Sequence, residues 1–304
     1  LGLRTFAEAI GRVDLLGRAS TGHEIADSLD LSVLLALPQD TAATRHFAAY
    51  AGIQRPVAHL DQQLYRDAFP ALLEGQSITL DYQIHNADRS VGCALAGATA
   101  LEWNQSPPPG RVRARFTGEA GQSFAAFTGA GVVMELIGAA NDFAGKGLGG
   151  GRVVIRPAPD YEPGSVLAGN AALYGATSGE LLIAGRAGQG FAVRNDGAIA
   201  VVEGTGDNAC EYMSNGTVVI LGDFGYNLGA GLRGGQILVF DPDGRLPNRV
   251  GPAVIASELR GQALEAQLKE LIVVHAAATE SPVARAILDE WAAHRSYFRV
   301  CTRD

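Results

Sequence analysis

The apolar positions change their spacing twice along the chain, and each change marks a new kind of structure. Up to about Gln76 they follow short helical patterns, Phe6-Ala7-Glu8-Ala9-Ile10 and Tyr65-Arg66-Asp67-Ala68-Phe69-Pro70, each stopped by turn formers. This predicts a connector of helices and loops over 1–76. From Ser77 the runs are short and strand-like, first Ile78-Thr79-Leu80-Asp81-Tyr82-Gln83-Ile84 and then, past the stiff turn Ser106-Pro107-Pro108-Pro109-Gly110, Arg111 to Phe116. Beyond Gly149 a glycine repeatedly opens an apolar run: Gly151 to Ile155, Gly179 to Ile183, Gly197 to Val201, Gly216 to Ile220 and Gly235 to Val239. The last four start 18, 19 and 19 residues apart, which is a repeat period. The first interval is longer by a loop containing Pro157, Pro159 and Pro163.

A repeat this short cannot bury its own apolar face, so successive repeats must stack and run Val, Ile and Leu into continuous interior rows. Each buried side chain contributes about 1.5–3 kcal/mol before entropy. Corners that need left-handed backbone select glycine, because a Cβ there costs about 1–2 kcal/mol. The predicted fold is all-β: a right-handed single-stranded parallel β-helix over 77–255 with helical flanks. After the turn Pro242-Asp243-Gly244, helical spacing returns over 256–304. Leu259, Leu264, Leu268, Leu271 and Ile272 share one face there, and a second helix runs from Ser281-Pro282 to Trp291.

Composition narrows the function classes. Of 304 residues 39 are Gly, nearly twice the usual share of about 7%. A net charge of -8 with no basic cluster argues against nucleic acid and anionic membrane surfaces as partners. No apolar run approaches the roughly 18 residues that span a bilayer. Cys93, Cys210 and Cys301 lie far apart without a C-x-x-C pair, as expected of a reduced cytoplasmic compartment. The absence of an initiator Met suggests a piece of a longer chain.

Several motifs resemble chemistry. Gly145 to Gly150, Gly204 to Ala209 and Gly229 to Gly234 match the dinucleotide fingerprint G-x-G-x-x-G/A. That fingerprint works by opening a helix whose N-terminus holds a pyrophosphate, whereas each match here soon meets a strand-like run, so corner glycines are the favoured reading. Glu203, Asp207 and Glu211 could present oxygens to a hard cation, but Asp and Asn at corners more often accept backbone N–H bonds, and the same applies to Asn141-Asp142, Asn195-Asp196 and Asn227. The histidines, His23, His46, His59, His85, His275 and His294, form no zinc-type spacing. Cys210 has no neighbouring histidine, Lys or Arg in sequence to activate it. No catalytic, cofactor-binding or metal-ligating residue is assigned.

Five segments together carry a resemblance: Asn86 to Gly92, Gly118 to Phe124, Ala140 to Leu148, Leu173 to Gly179, and Val193-Arg194-Asn195 through Met213. They resemble the C-terminal GXGXG-type domain of the glutamate synthase large subunit, closely over about 80 to 255. Arg4-Thr5-Phe6 and Ile10 to Leu16 resemble the segment leaving that family's flavin-binding synthase domain. Departures are small: Cys93 and Ala87 stand where threonine is expected, Ser214-Asn215-Gly216 replaces a more glycine-rich turn, and Gly229 and Arg233 vary in the last corner.

The resemblance implies part of an enzyme that makes two glutamates from glutamine, 2-oxoglutarate and a reductant. FMN and an iron–sulfur cluster are then expected upstream, outside this chain, with no cofactor bound by the chain itself. The implied partners are the amidotransferase and FMN-binding synthase domains, with a reductase small subunit as a further candidate. The expected role is a non-catalytic interdomain scaffold. The alternative is a separate scaffold subunit of the N-methylglutamate synthase or formylmethanofuran dehydrogenase type. A carbohydrate-active β-helix is more remote, since aromatics are only 7% and form no ladder at the repeat period.

Overall fold

The computed structural model describes residues 2–36, 58–104, 106–162 and 164–304; His46 and Pro163 lie outside them. The chain divides into two compact units, Leu1–Val57 and Ala58–Asp304. The described part of the first holds three one-turn helices, α1 (Phe6–Ala9), α2 (Glu24–Ser28) and α3 (Ser32–Leu35), none with a buried residue. Thr5 caps α1 by accepting the Glu8 N–H.

The second unit begins with α4 (His59–Leu73), β1 (Ser77–Ile84), α5 (Cys93–Trp103), β2 (Arg111–Gly118), β3 (Val132–Ile137) and β4 (Gly149–Arg156). It continues with β5 (Val166–Ala168), β6 (Ser178–Ile183), β7 (Arg186–Ala187), β8 (Asp196–Val202), β9 (Asn215–Ile220) and β10 (Gln236–Phe240). β11 (Val254–Glu258), α6 (Gln262–Thr279), α7 (Pro282–Asp289), α8 (Trp291–His294) and β12 (Phe298–Arg303) complete it.

These elements correct the all-β expectation. Ten of the strands form one sheet in the order β1-β2-β3-β4-β6-β8-β9-β10-β12-β11, parallel as far as β10 with β12 and β11 antiparallel; β5 and β7 pair in a separate two-stranded sheet, and helices pack against the larger one. The architecture is α/β, not an all-β β-helix. The glycine-opened runs supply only this one wall, in which register partners such as Leu181 and Ala200, Ala200 and Val218, and Val218 and Ile237 lie 18 or 19 residues apart.

The facing wall is not strand. In each repeat three residues at i, i+2 and i+4 are left-handed: Phe143, Gly145 and Gly147 at φ 63°, 64° and 65°, then Ala171, Leu173 and Gly175, then Asn208, Cys210 and Tyr212 at 61°, 59° and 55°. The alternation turns successive N–H groups in opposite directions along the stack. Phe143 N–H donates forward to the Asn170 carbonyl (2.8 Å), Gly145 N–H back to Phe124 (2.9 Å) and Gly147 N–H forward to Tyr174 (2.8 Å). Leu173 N–H likewise points back to Ala144 and Cys210 N–H back to Phe191. Left-handed Leu173 and Cys210 each cost about 1–2 kcal/mol, offset by burial and by a bonded backbone that would otherwise be orphaned.

Between the walls lies one core. One inward row runs Ala114, Met134, Val153, Leu181, Ala200, Val218, Ile237 and Cys301, all buried. A second core lies outside the sheet, where Val154, Leu182, Val201, Val219, Leu238 and Val300 meet Leu268, Ile272 and Ala276 of α6 and Ala284 and Ile287 of α7. α4 buries Leu64, Ala68 and Leu72 against the other end of the sheet, and its Asp61 accepts the Gly92 (2.8 Å) and Ala94 (3.2 Å) N–H groups at the start of α5.

Candidate functional site

Most motifs with a chemical look have a structural occupation. Gly145–Gly150 and Gly229–Gly234 open no helix; their first glycines belong to the left-handed wall, whose Gly145 and Gly229 N–H groups are bonded back to Phe124 and Ala209. Two of the glycines are required by contact as well as by φ. A Cβ on Gly147 would lie 2.5 Å from the Phe127 ring, and one on Gly231 2.7 Å from the Tyr212 ring, because an aromatic from the preceding repeat lies against each. Gly204–Ala209 leads into the same wall at Asn208.

Corner Asp and Asn side chains act along the stack. Asp142 accepts the Asn170 N–H (2.7 Å), Asn170 the Gln189 N–H (2.9 Å) and Asp207 the Tyr226 N–H (2.7 Å). Asn195 folds back on Ala198, and Asn227 donates to Asn208 (3.2 Å). Glu203 goes elsewhere: it accepts the Ser281 hydroxyl and lies 3.6 Å from the buried His275 Nε2, which ties the α6–α7 junction to the end of β8. Among the described residues no three His, Cys, Asp or Glu side chains are grouped to hold a metal.

The cysteines do not fit a cluster site. Cys210 and Cys301 lie in the inner core and Cys93 starts α5, and the chain holds three thiols against the four that such a cluster takes. Burial first, then Asp61, pushes the Cys93 thiol up to about 11, and burial with Asp241 pushes Cys301 up to about 12; neither is a ready nucleophile. Of the described histidines, His294 packs edge-on against Phe240, His23 precedes α2, His59 opens α4 and His85 is exposed.

What the motif reading missed is a surface. The outward positions of β1 to β4 form a charged face: Arg115 pairs with Asp81 (2.8 Å), Arg113 with Glu135 (2.7 Å), Arg152 with Glu180 and Arg156 with Glu280 (3.2 Å). Arg111 donates only to the Pro108 (2.9 Å) and Gly110 (2.8 Å) carbonyls and makes no ion pair among the described residues. Three hollows lie on this face. The largest, about 720 Å³, crosses the starts of β1, β2, β3, β4, β6 and β8; the others, about 360 and 430 Å³, border Val274, Ala277 and Ala278 of α6 or the loop after it. The strict alternation Arg111-Val112-Arg113-Ala114-Arg115-Phe116 was the available signal.

With this geometry in place, comparison with known proteins assigns the family. A family profile described as GXGXG motif matches residues 61–303. The chain belongs to the GXGXG-motif family. Within it, the chain is 40% identical to ferredoxin-dependent glutamate synthase 2 of Synechocystis sp., over 98% of this chain and 20% of that protein. It is 41% identical to the NADPH glutamate synthase large chain of Azospirillum brasilense (96% and 20%) and 38% identical to that of Bacillus subtilis (96% and 20%). It is therefore a GXGXG domain that matches a portion of glutamate synthase large chains and spans about a fifth of their length. Among the described residues no helix is long and apolar enough to cross a membrane.

Proposed function

We propose that this chain is the non-catalytic scaffold of a cytoplasmic glutamate synthase, a C-terminal region that holds the amidotransferase and FMN-binding synthase domains in a fixed relation. The observation that carries the reading is the near-complete match of the chain to about a fifth of each glutamate synthase. The left-handed wall supports it, because N–H groups that would otherwise be free to cradle a phosphate are already bonded between repeats. The proposal assigns FMN and the iron–sulfur cluster to the remainder of the longer protein, together with 1–76 as the segment that leads from it. Ferredoxin-dependent and NADPH-dependent relatives match equally well at 40% and 41%, so the choice of electron donor belongs outside this region too.

The test is the mass of the native protein with its reading frame. A polypeptide about five times this length, with a cysteine-initiated amidotransferase and a flavin domain, is expected. A native start close to Leu1 would overturn the reading in favour of a free scaffold subunit.

A further inference from the structure

We propose that the groove across the starts of β1, β2, β3, β4, β6 and β8 is the seat of an extended, acidic segment from the remainder of the glutamate synthase polypeptide; this rests on the scaffold reading above. The outward face of the sheet is finished at one end and unfinished at the other. α6 and α7 cover it from β4 to β10, whereas among the described residues β1 to β3 keep Thr79, Arg113, Arg115 and Gln83 exposed, with α6 reaching only the hollows beside Arg113 and Arg115.

Charge selects the occupant. The groove is lined by Arg111, Arg113 and Arg152 against the single carboxylate of Glu180, in a chain whose formal charge is -8. Arg113 and Arg152 already hold Glu135 and Glu180, so among the described residues that line the groove Arg111 is the cation left to receive a carboxylate. Its guanidinium keeps Nε and Nη2 available beside the Nη1 bonds to Pro108 and Gly110, which suits a two-point contact with Asp or Glu.

Length selects the form. Six neighbouring strands spaced about 4.8 Å span about 24 Å, which an extended chain covers with about seven residues at about 3.3 Å each. The relatives supply the source, since about four fifths of each lies beyond the region matched by this chain.

The experiment uses the full-length polypeptide carrying a photoreactive amino acid at Thr79, in the groove, or at Tyr226, exposed and remote from its lining. The Thr79 probe is expected to cross-link one acidic segment outside residues 1–304. Arg111→Glu should cut that yield at least tenfold, and Arg111→Lys should fall between the two, because an ammonium keeps the charge but not the two-point contact. Cross-links from Thr79 only within residues 1–304, or a yield indifferent to Arg111→Glu, would overturn the groove assignment. Capture of an outside segment by Tyr226 but not by Thr79 would leave the scaffold reading standing and remove this one. Silence from both probes would count against both.

Discussion

The two halves of the outer sheet face are built from the same parallel ladder yet have opposite chemistry. In the row Asp81, Arg115, Glu135, Val154, Leu182, Val201, Val219, Leu238 the first three positions are charged and the rest apolar, and the change falls where α6 begins to cover the sheet. A strand buried on both faces must be apolar at consecutive positions, as in Val218-Val219-Ile220. One buried on a single face alternates, as in Arg113-Ala114-Arg115. The lesson is that cover, not the ladder, sets the tolerance of each position.

The largest test of that contrast is Val219→Asp. It places an unpaired carboxylate beneath α6 and should cost about 4 kcal/mol or more, abolishing a cooperative urea transition. If the protein unfolds normally, α6 does not seal this half in solution.

A second comparison isolates the inner wall from both outer halves. Gly147 and Gly175 end equivalent left-handed triplets at φ 65° and 63°, but only Gly147 faces a ring, with nothing within 4 Å of a Cβ at Gly175. Gly175→Ala should cost about 1–2 kcal/mol from backbone alone. Gly147→Ala should cost more, and Phe127→Ala in the same chain should recover the excess. Equal costs would show that the ring moves aside freely.

Smaller effects follow at the edge of the cover. Ser281 caps α7 at the Ala284 N–H (2.9 Å) and donates to Glu203, so Ser281→Ala should lower stability by about 1–2 kcal/mol in thermal melts. Exchange protection of α7 should fall before that of β8. The smallest effect belongs to the uncovered half, where a double-mutant cycle on Arg113 and Glu135 should return about 0.2–1 kcal/mol and vanish in high salt. A larger coupling would mean that this face is desolvated.

Much of the local pattern was legible. The spacing of Gly179, Gly197, Gly216 and Gly235 matches the register of β6, β8, β9 and β10, and the apolar face of Leu264, Leu268, Leu271 and Ile272 lies on the helix that packs against them. The fold class was not. Ala171, Leu173, Ala192 and Cys210 adopt left-handed backbone that no residue type announces, so the second wall could not be told from strand by its apolar content. Nor could the partnership of Glu203 with His275 and Ser281, which are more than seventy residues away in sequence.

By itself the sequence determined the repeat length, the interior rows, the helical spacing of α6 and the family to which they belong, because periodicity and glycine spacing are properties of neighbouring residues. Tertiary structure alone decided which wall is sheet and which is a left-handed ladder, and which strands receive a helical cover. Those outcomes depend on where each N–H finds its acceptor in the next repeat, and on which outward rows α6 is long enough to reach.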